Sequence, residues 1–215
     1  MMMSHSKTKE LIPEQETIPA KGIISLDVST SNVGIVYIDK ENIYVELISR
    51  ESNSTLMEYA FNILDYYLDS LDVSYSNMIV FVEDVILGLN ARSSIKQARF
   101  IGMLEGVFVG EAFGLNDWIF VNPSSVKKCF TGKGNANKEM MIDQMLQIKG
   151  IKKILSRNSG INIKEQLIRH KEGKITSLEH IADAFGVLSA GVTNNMGLIP
   201  VEILEMMKRH NIPFM

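Results

Sequence analysis

Three acidic positions in this 215-residue chain stand where apolar runs end. Asp27 closes "GIISLD", Glu83 with Asp84 closes "MIVFVED", and Asp183 lies in "IADAFGVLSAG" among apolar and small neighbours. His180 precedes Asp183 by three positions, so on a helix the two share a face. A carboxylate at the margin of a core is costly unless a charge of opposite sign meets it. If folding brings these acids together they repel one another, and a cation must join them. An oxygen-rich set with one imidazole suits Mg²⁺ or Mn²⁺, which makes Asp27 a metal ligand. Each residue also has an ordinary structural reading. Asp27 can bond the backbone of the turn near Ser29 to Ser31. Glu83 and Asp84 can simply end a strand. His180 can be a satisfied core histidine, and Glu179 a first-turn acid favoured by the helix dipole. Asp183 is the hardest to explain in this way.

The elements that would carry these groups are legible from periodicity. Gly22–Ser29, Val33–Asp39 and Asn42–Ser49 read as three strands joined by the short turns "TSN" and "KE", hence antiparallel neighbours. Apolar residues from Leu56 to Leu68 recur at helical spacing, with Asn53, Ser54 or Thr55 as the cap and Glu58 completing a capping box if Thr55 is the one. Met78 to Asp84 is an unbroken apolar run, the mark of a strand covered on both faces. A long helix follows over Ser93–Phe113, with Ala98, Gly102, Gly106 and Gly110 forming a small-residue side open to another helix. Trp118–Asn122 reads as a further strand, and Pro123 opens a short helix. "TGKGNANKEMM" breaks the pattern before a helix from Asn137 to about Ile148. From Lys149 to Ser177 the chain is polar and basic, either two short helices or a loop. A core helix runs from Leu178 to about Val192, and Pro200–Met215 holds a short amphipathic helix. The expectation is an α/β fold: a mixed five-stranded sheet, three antiparallel strands first, flanked by helices.

At 46% hydrophobic and 22% charged residues the composition is that of a globular domain. No stretch approaches the roughly 20 apolar residues of a membrane span. Residues 1–20 read as a polar disordered tail, 21–195 as the domain with a basic insert at about 149–177, and 196–215 as a C-terminal extension. The single Cys129 excludes an internal disulfide framework or a cysteine zinc cluster and fits a reducing, cytoplasmic setting. The net charge of −3 conceals an asymmetry. Between Val121 and Leu178 stand twelve Lys and Arg against four Asp and Glu, so that segment carries +8 and the remainder −11. Such a segment is either a solvated face or a polyanion-binding surface.

With these stretches set out, the sequence resembles the RuvC family of Holliday junction resolvases, of ribonuclease H-like fold. "SLDVSTSNVGIVYID" resembles the family's first strand, with its catalytic aspartate at Asp27 and the following glycine at Gly34. "VFVED" resembles the strand of the second acid, at Glu83. "SSIKQARFIGMLEG" is similar to the next helix, with its "QAR" signature at Gln97, Ala98 and Arg99. "VNPSSVKKCFTGKGNANKEMM" is the most specific match, and places the family's two functional lysines at Lys127 and Lys138. "HIADAFGVLSAG" is similar to the closing helix, with ligands at His180 and Asp183. Many members carry aspartate where His180 stands. Ile86 replaces the aromatic that bacterial members place three residues after the second acid. The connection from Lys138 to His180 is longer than the bacterial pattern, in a place where phage-type relatives vary.

The resemblance implies a Mg²⁺-dependent endonuclease, with Mn²⁺ substituting, that resolves four-way DNA junctions by paired nicks. Two ions per site would be held by Asp27, Glu83, His180 and Asp183, with Lys138 assisting catalysis. The expected DNA contacts are Lys127, Lys128, Lys133, Lys138, Lys152, Lys153 and Arg157. It also implies a homodimer, for which the small-residue side of 93–113 is the candidate interface, in a bacterial or infected host cell. Three alternatives stand beside it: a broader nuclease of flaps, forks or RNA–DNA hybrids; an inactive DNA-binding protein; and an actin-like kinase, against which the short turn "DVSTSN" lacks a glycine-rich phosphate loop.

Overall fold

The computed structural model describes residues 20–71, 78–86, 91–111, 115–157, 162–174 and 177–214. The expected N-terminal tail, except for Ala20, lies outside them, as does most of the turn "RNSG". Three strands come first: β1 (Gly22–Val28), β2 (Asn32–Asp39) and β3 (Ile43–Ser49). They pair antiparallel in sequence order, Asp27 opposite Gly34 and Val36 opposite Val45. The helix α1 (Leu56–Leu71) follows. Its cap is the Thr55 alternative: Glu58 N donates to Thr55 Oγ1 at 3.2 Å and Thr55 N donates to Glu58 Oε2 at 2.7 Å, the reciprocal capping box.

The strand β4 (Met78–Glu83) lies parallel to β1, in register Leu26 with Val82. The long helix α2 (Ala91–Glu111) leads to β5 (Leu115–Val121), parallel to β4. The sheet order is β3-β2-β1-β4-β5, the expected mixed five-stranded sheet. Beyond it come α3 (Pro123–Thr131), α4 (Lys138–Leu146), α5 (Ile151–Ser156), α6 (Ile163–Lys171), α7 (Leu178–Asn194) and α8 (Val201–Arg209). The basic stretch after Lys149 therefore resolves the open alternative in favour of two short helices, α5 and α6.

Because side chains alternate along a strand, the sheet buries a core on each face. Ile24, Leu26 and Val28 of β1 and Val80 and Val82 of β4 face α1 and α2, where Tyr59, Ile63, Phe100 and Leu104 meet them. Ile23 of β1 and Ile79 and Phe81 of β4 face the opposite core, built by α3, α4, α5, α7 and α8. Ile151, Ile154 and Leu155 of α5 and Ile203, Met206 and Met207 of α8 belong to this second core. The alternation has a direct consequence for the acids. Asp27 continues the series from Ile23, and Glu83 the series from Ile79 and Phe81, so both carboxyls emerge on the face that α7 covers.

α7 is the central helix of that face, packing on β1, β2, α3 and α4. All but a few of its side chains are buried. It comes close enough because Gly34 has no side chain: a Cβ there would overlap the carbonyl group of His180. A Cβ on Gly191 would likewise enter the Phe81 ring.

Candidate metal and nucleic-acid site

The turn after β1 is closed by Ser29, not by Asp27: Ser29 N donates to Asn32 O, and Asn32 N donates back to Ser29 Oγ, both at 2.9 Å. Asp27 instead meets α7, its Oδ2 2.7 Å from His180 Nδ1. Residues 153 positions apart are thus joined across the sheet–helix contact that Gly34 permits. Gln97 on α2 donates its Nε2 to Val28 O at 2.7 Å, fixing the backbone just past Asp27.

Glu83 and Asp84 have opposite fates. Asp84 is exposed and bonds locally, accepting from Val85 N at 2.8 Å, while its own N–H extends the strand to Val121 O at 2.9 Å. Glu83 turns inward. Burial, then the nearby charges of Asp27 and Asp183, push its carboxyl up to about 7, against the opposing pull of Lys127. Asp183 is pushed up to about 7 as well, by burial first and then by Asp27, with His180 and Lys138 opposing and Glu179 adding to the rise. The His180 imidazole is raised by its bond to Asp27, partly offset by burial. Asp27 and Asp183 thus act on both Glu83 and His180. The three acids singled out from sequence, with His180, form one electrostatically coupled cluster at the carboxyl ends of β1 and β4 and the first turns of α7.

The lysines divide. The motif "TGKGNANK" builds a rigid corner: Gly132 caps α3 in the left-handed region at φ 75°, Ala136 is buried, and Asn137 caps α4 by accepting from Met140 N at 2.9 Å. That corner sets Lys138 at the first position of α4, where a cation opposes the helix dipole. Its compensation is Glu179, whose Oε2 lies 2.8 Å from Lys138 Nζ. Glu179 is 9% exposed and its Oε1 is 3.9 Å from His180 Nε2. From the sequence alone Glu179 is only a first-turn acid. Its pairing with a lysine 41 positions earlier has no local signal beyond its adjacency to His180. Lys127 and Lys138 act on the cluster; Lys128 and Lys133 are exposed near them in sequence, while Lys152, Lys153 and Arg157 are exposed on and just after α5, which packs against β3. Ile86, 64% exposed, follows β4 by three residues.

The donor set fits a hard divalent cation by its chemistry: carboxylates outnumber the single imidazole, and burial and mutual repulsion raise two of them, a strain that a cation would relieve. Among the described residues no three His, Cys, Asp or Glu side chains are arranged so that they could hold a metal ion together. The direct bond between Asp27 and His180 occupies donors that a cation would take.

Residues 23–164 match the family model described as "Crossover junction endodeoxyribonuclease RuvC". That stretch holds Asp27, Glu83, Lys127 and Lys138, while His180 and Asp183 lie beyond it and reach the cluster through α7. Curated relatives of the same description include those of a Nitratiruptor species, 28% identical over 134 residues, and Campylobacter curvus (strain 525.92), 30% over 138 residues; each alignment covers 61% of this chain and 83% of the relative. The Helicobacter pylori (strain ATCC 700392 / 26695) protein is 30% identical over 132 residues, covering 59% of this chain and 82% of its own. A solved T. thermophilus RuvC in complex with Holliday junction substrate is similar with a TM-score of 0.52 at 18% identity, over 83% of this chain and 95% of that one. This likeness concerns the fold, which is ribonuclease H-like. Since the matched residues make up more than half of its length, the chain belongs to the RuvC family of crossover junction endodeoxyribonucleases.

Proposed function

We propose that the Asp27–Glu83–His180–Asp183 cluster is the catalytic centre of a divalent-cation-dependent endonuclease that resolves four-way DNA junctions. The observation that carries this is the electrostatic coupling of carboxyls from β1, β4 and α7, two of them pushed up to about 7, within a chain of this family. Mg²⁺, or Mn²⁺ in its place, would be held as two ions by Asp27, Glu83, His180 and Asp183. When bound, such ions lower the pKa of an attacking water and balance charge on the departing oxygen, leaving a 5′ phosphate and a 3′ hydroxyl. Asp27 is central because it contacts His180 and acts on both Glu83 and Asp183. His180 must give up a proton to serve as a ligand, and Asp183 and Glu83 must each lose theirs. Lys138, held by Glu179 beside Asp183, neutralises the scissile phosphate or orients water. Lys127, Lys128, Lys133, Lys152, Lys153 and Arg157 contact flanking phosphates, an interaction that weakens with salt and carries little sequence information.

A junction needs two matched cuts, which a C2 homodimer supplies. The α1–α2 surface supports that assembly. Gly102 and Gly106 have open space where a Cβ would stand and line a groove of about 550 Å³ with the exposed Met57 and Phe61; Ile95 and Val109 are further exposed apolar side chains of α2. The decisive experiment is Asp27→Asn on a synthetic mobile junction: cleavage collapses while binding persists. Retained cleavage would remove Asp27 from the reaction. Flap, RNA–DNA hybrid and plain duplex serve as comparison substrates, and equal rates on all of them would replace junction resolution with a broader nuclease activity.

A further inference from the structure

Between the first turn of α4, the end of α6 and the start of α7 lies a cavity of about 330 Å³. Asn137, Lys138, His170, Gly173, Lys174 and Glu179 line it. It adjoins the acid cluster, since Lys138 acts on Asp183 and Glu179 directly precedes His180. Its outer wall is α6 and the turn after it, which from Glu165 onward lie beyond the stretch matched by the family model. This wall is anchored on two sides. His170 Nε2 stands 2.9 Å from Asp143 Oδ1 on α4, and Ser177 N donates to Gln166 Oε1 at 3.0 Å, tying α6 to the entrance of α7. Gly173, at φ 68°, turns the chain back so that Lys174 joins the lining.

The volume lies at the lower end of small-molecule sites, enough for one nucleotide unit. Its charges are arranged for exchange. Glu179 is matched by Lys138, and Glu172 Oε2 holds Lys174 Nζ at 2.6 Å. The Glu172–Lys174 pair is exposed, so a phosphate can replace the carboxylate at little cost. One further acid, Glu139, also lines the cavity.

We propose that this cavity is a phosphate subsite for the DNA strand passing the acid cluster, with Lys174 as the contact that the turn after α6 adds to this chain. The proposal rests on the DNA-cutting reading above, and names where the basic insert touches the strand. The test measures affinity for a labelled four-way junction and for single-stranded DNA across a salt series in EDTA. Lys174→Ala weakens binding to both and lowers the slope of log K against log salt by about one. Glu172→Gln breaks the same ion pair but keeps the lysine, and binds at least as tightly as the unaltered protein. Lys40→Ala, on the β2–β3 turn, changes nothing. An unchanged slope in Lys174→Ala, or an equal loss in Glu172→Gln, would overturn the subsite. A deoxynucleoside monophosphate that binds the unaltered protein and not Lys174→Ala, with DNA binding intact in both, would assign the cavity to free nucleotide and overturn the strand subsite. Because single-stranded DNA is read in parallel, a protein without junction preference defeats the resolvase proposal and leaves the subsite still measured.

Discussion

Glu83, Asp183 and His180 each bind protons more tightly in the folded, metal-free protein than in the unfolded chain. For the two carboxyls this contributes stability that is complete below the ordinary carboxylate range, about pH 4, and lost as pH rises through about 7; for His180 it is complete below the ordinary imidazole value, about 6.5, and lost as pH rises through its raised folded value. Thermal melts in EDTA should therefore fall from about pH 5 to pH 8. Glu83→Gln should flatten that slope, and Mg²⁺ should raise the melting temperature more at about pH 8 than at about pH 5. A slope unaltered by Glu83→Gln would place the strain elsewhere. These acids were visible in the sequence because a charged group at the end of an apolar run is a local anomaly. Glu179 was not, because an acid in the first turn of a helix is ordinary. Only its distance to Lys138, set by how α4 and α7 cross, gives it a second partner.

The strands and α7 owe their mutual fit to Gly34. Gly34→Ala should cost about 2 kcal/mol in urea denaturation, as overpacking against a backbone carbonyl does. Cleavage should fall further than that loss explains, since α7 carries His180 and Asp183. Unchanged stability and cleavage would mean that α7 has room to move. The three antiparallel strands, α1 with its capping box and the Pro123 helix were all readable from short turns, periodicity and caps. The stretch after Lys149 was not, because α5 is only six residues long and α6 is dominated by exposed polar side chains. What makes α5 a helix is tertiary: Ile151, Ile154 and Leu155 find a core that no local pattern announces. The same holds for α8, whose apolar stripe was plain but whose destination was not. Lys149 N donates to His210 O at 2.8 Å and His210 Nδ1 lies 2.9 Å from Lys149 O, which together fasten α8 beside α5.

For the assembled molecule, the proposed dimer makes a prediction in which monomer and interface respond with opposite signs. Gly106→Ala should stabilise an isolated α2 by about 1 kcal/mol, since the added methyl meets nothing in the monomer. Gly106→Leu and Phe61→Asp should shift sedimentation towards monomer while the circular dichroism spectrum stays unchanged. An unaltered sedimentation coefficient in both would move the interface away from α1 and α2. The bond between Asp27 and His180, spanning 153 positions, has a last consequence, which concerns time. During synthesis β1 and β4 emerge long before α7, so a ribosome-bound chain shorter than residue 183 carries two of the acids without their cover. On the proposed site, a nascent or truncated chain that ends before α7 lacks His180 and Asp183 and should not cleave a junction.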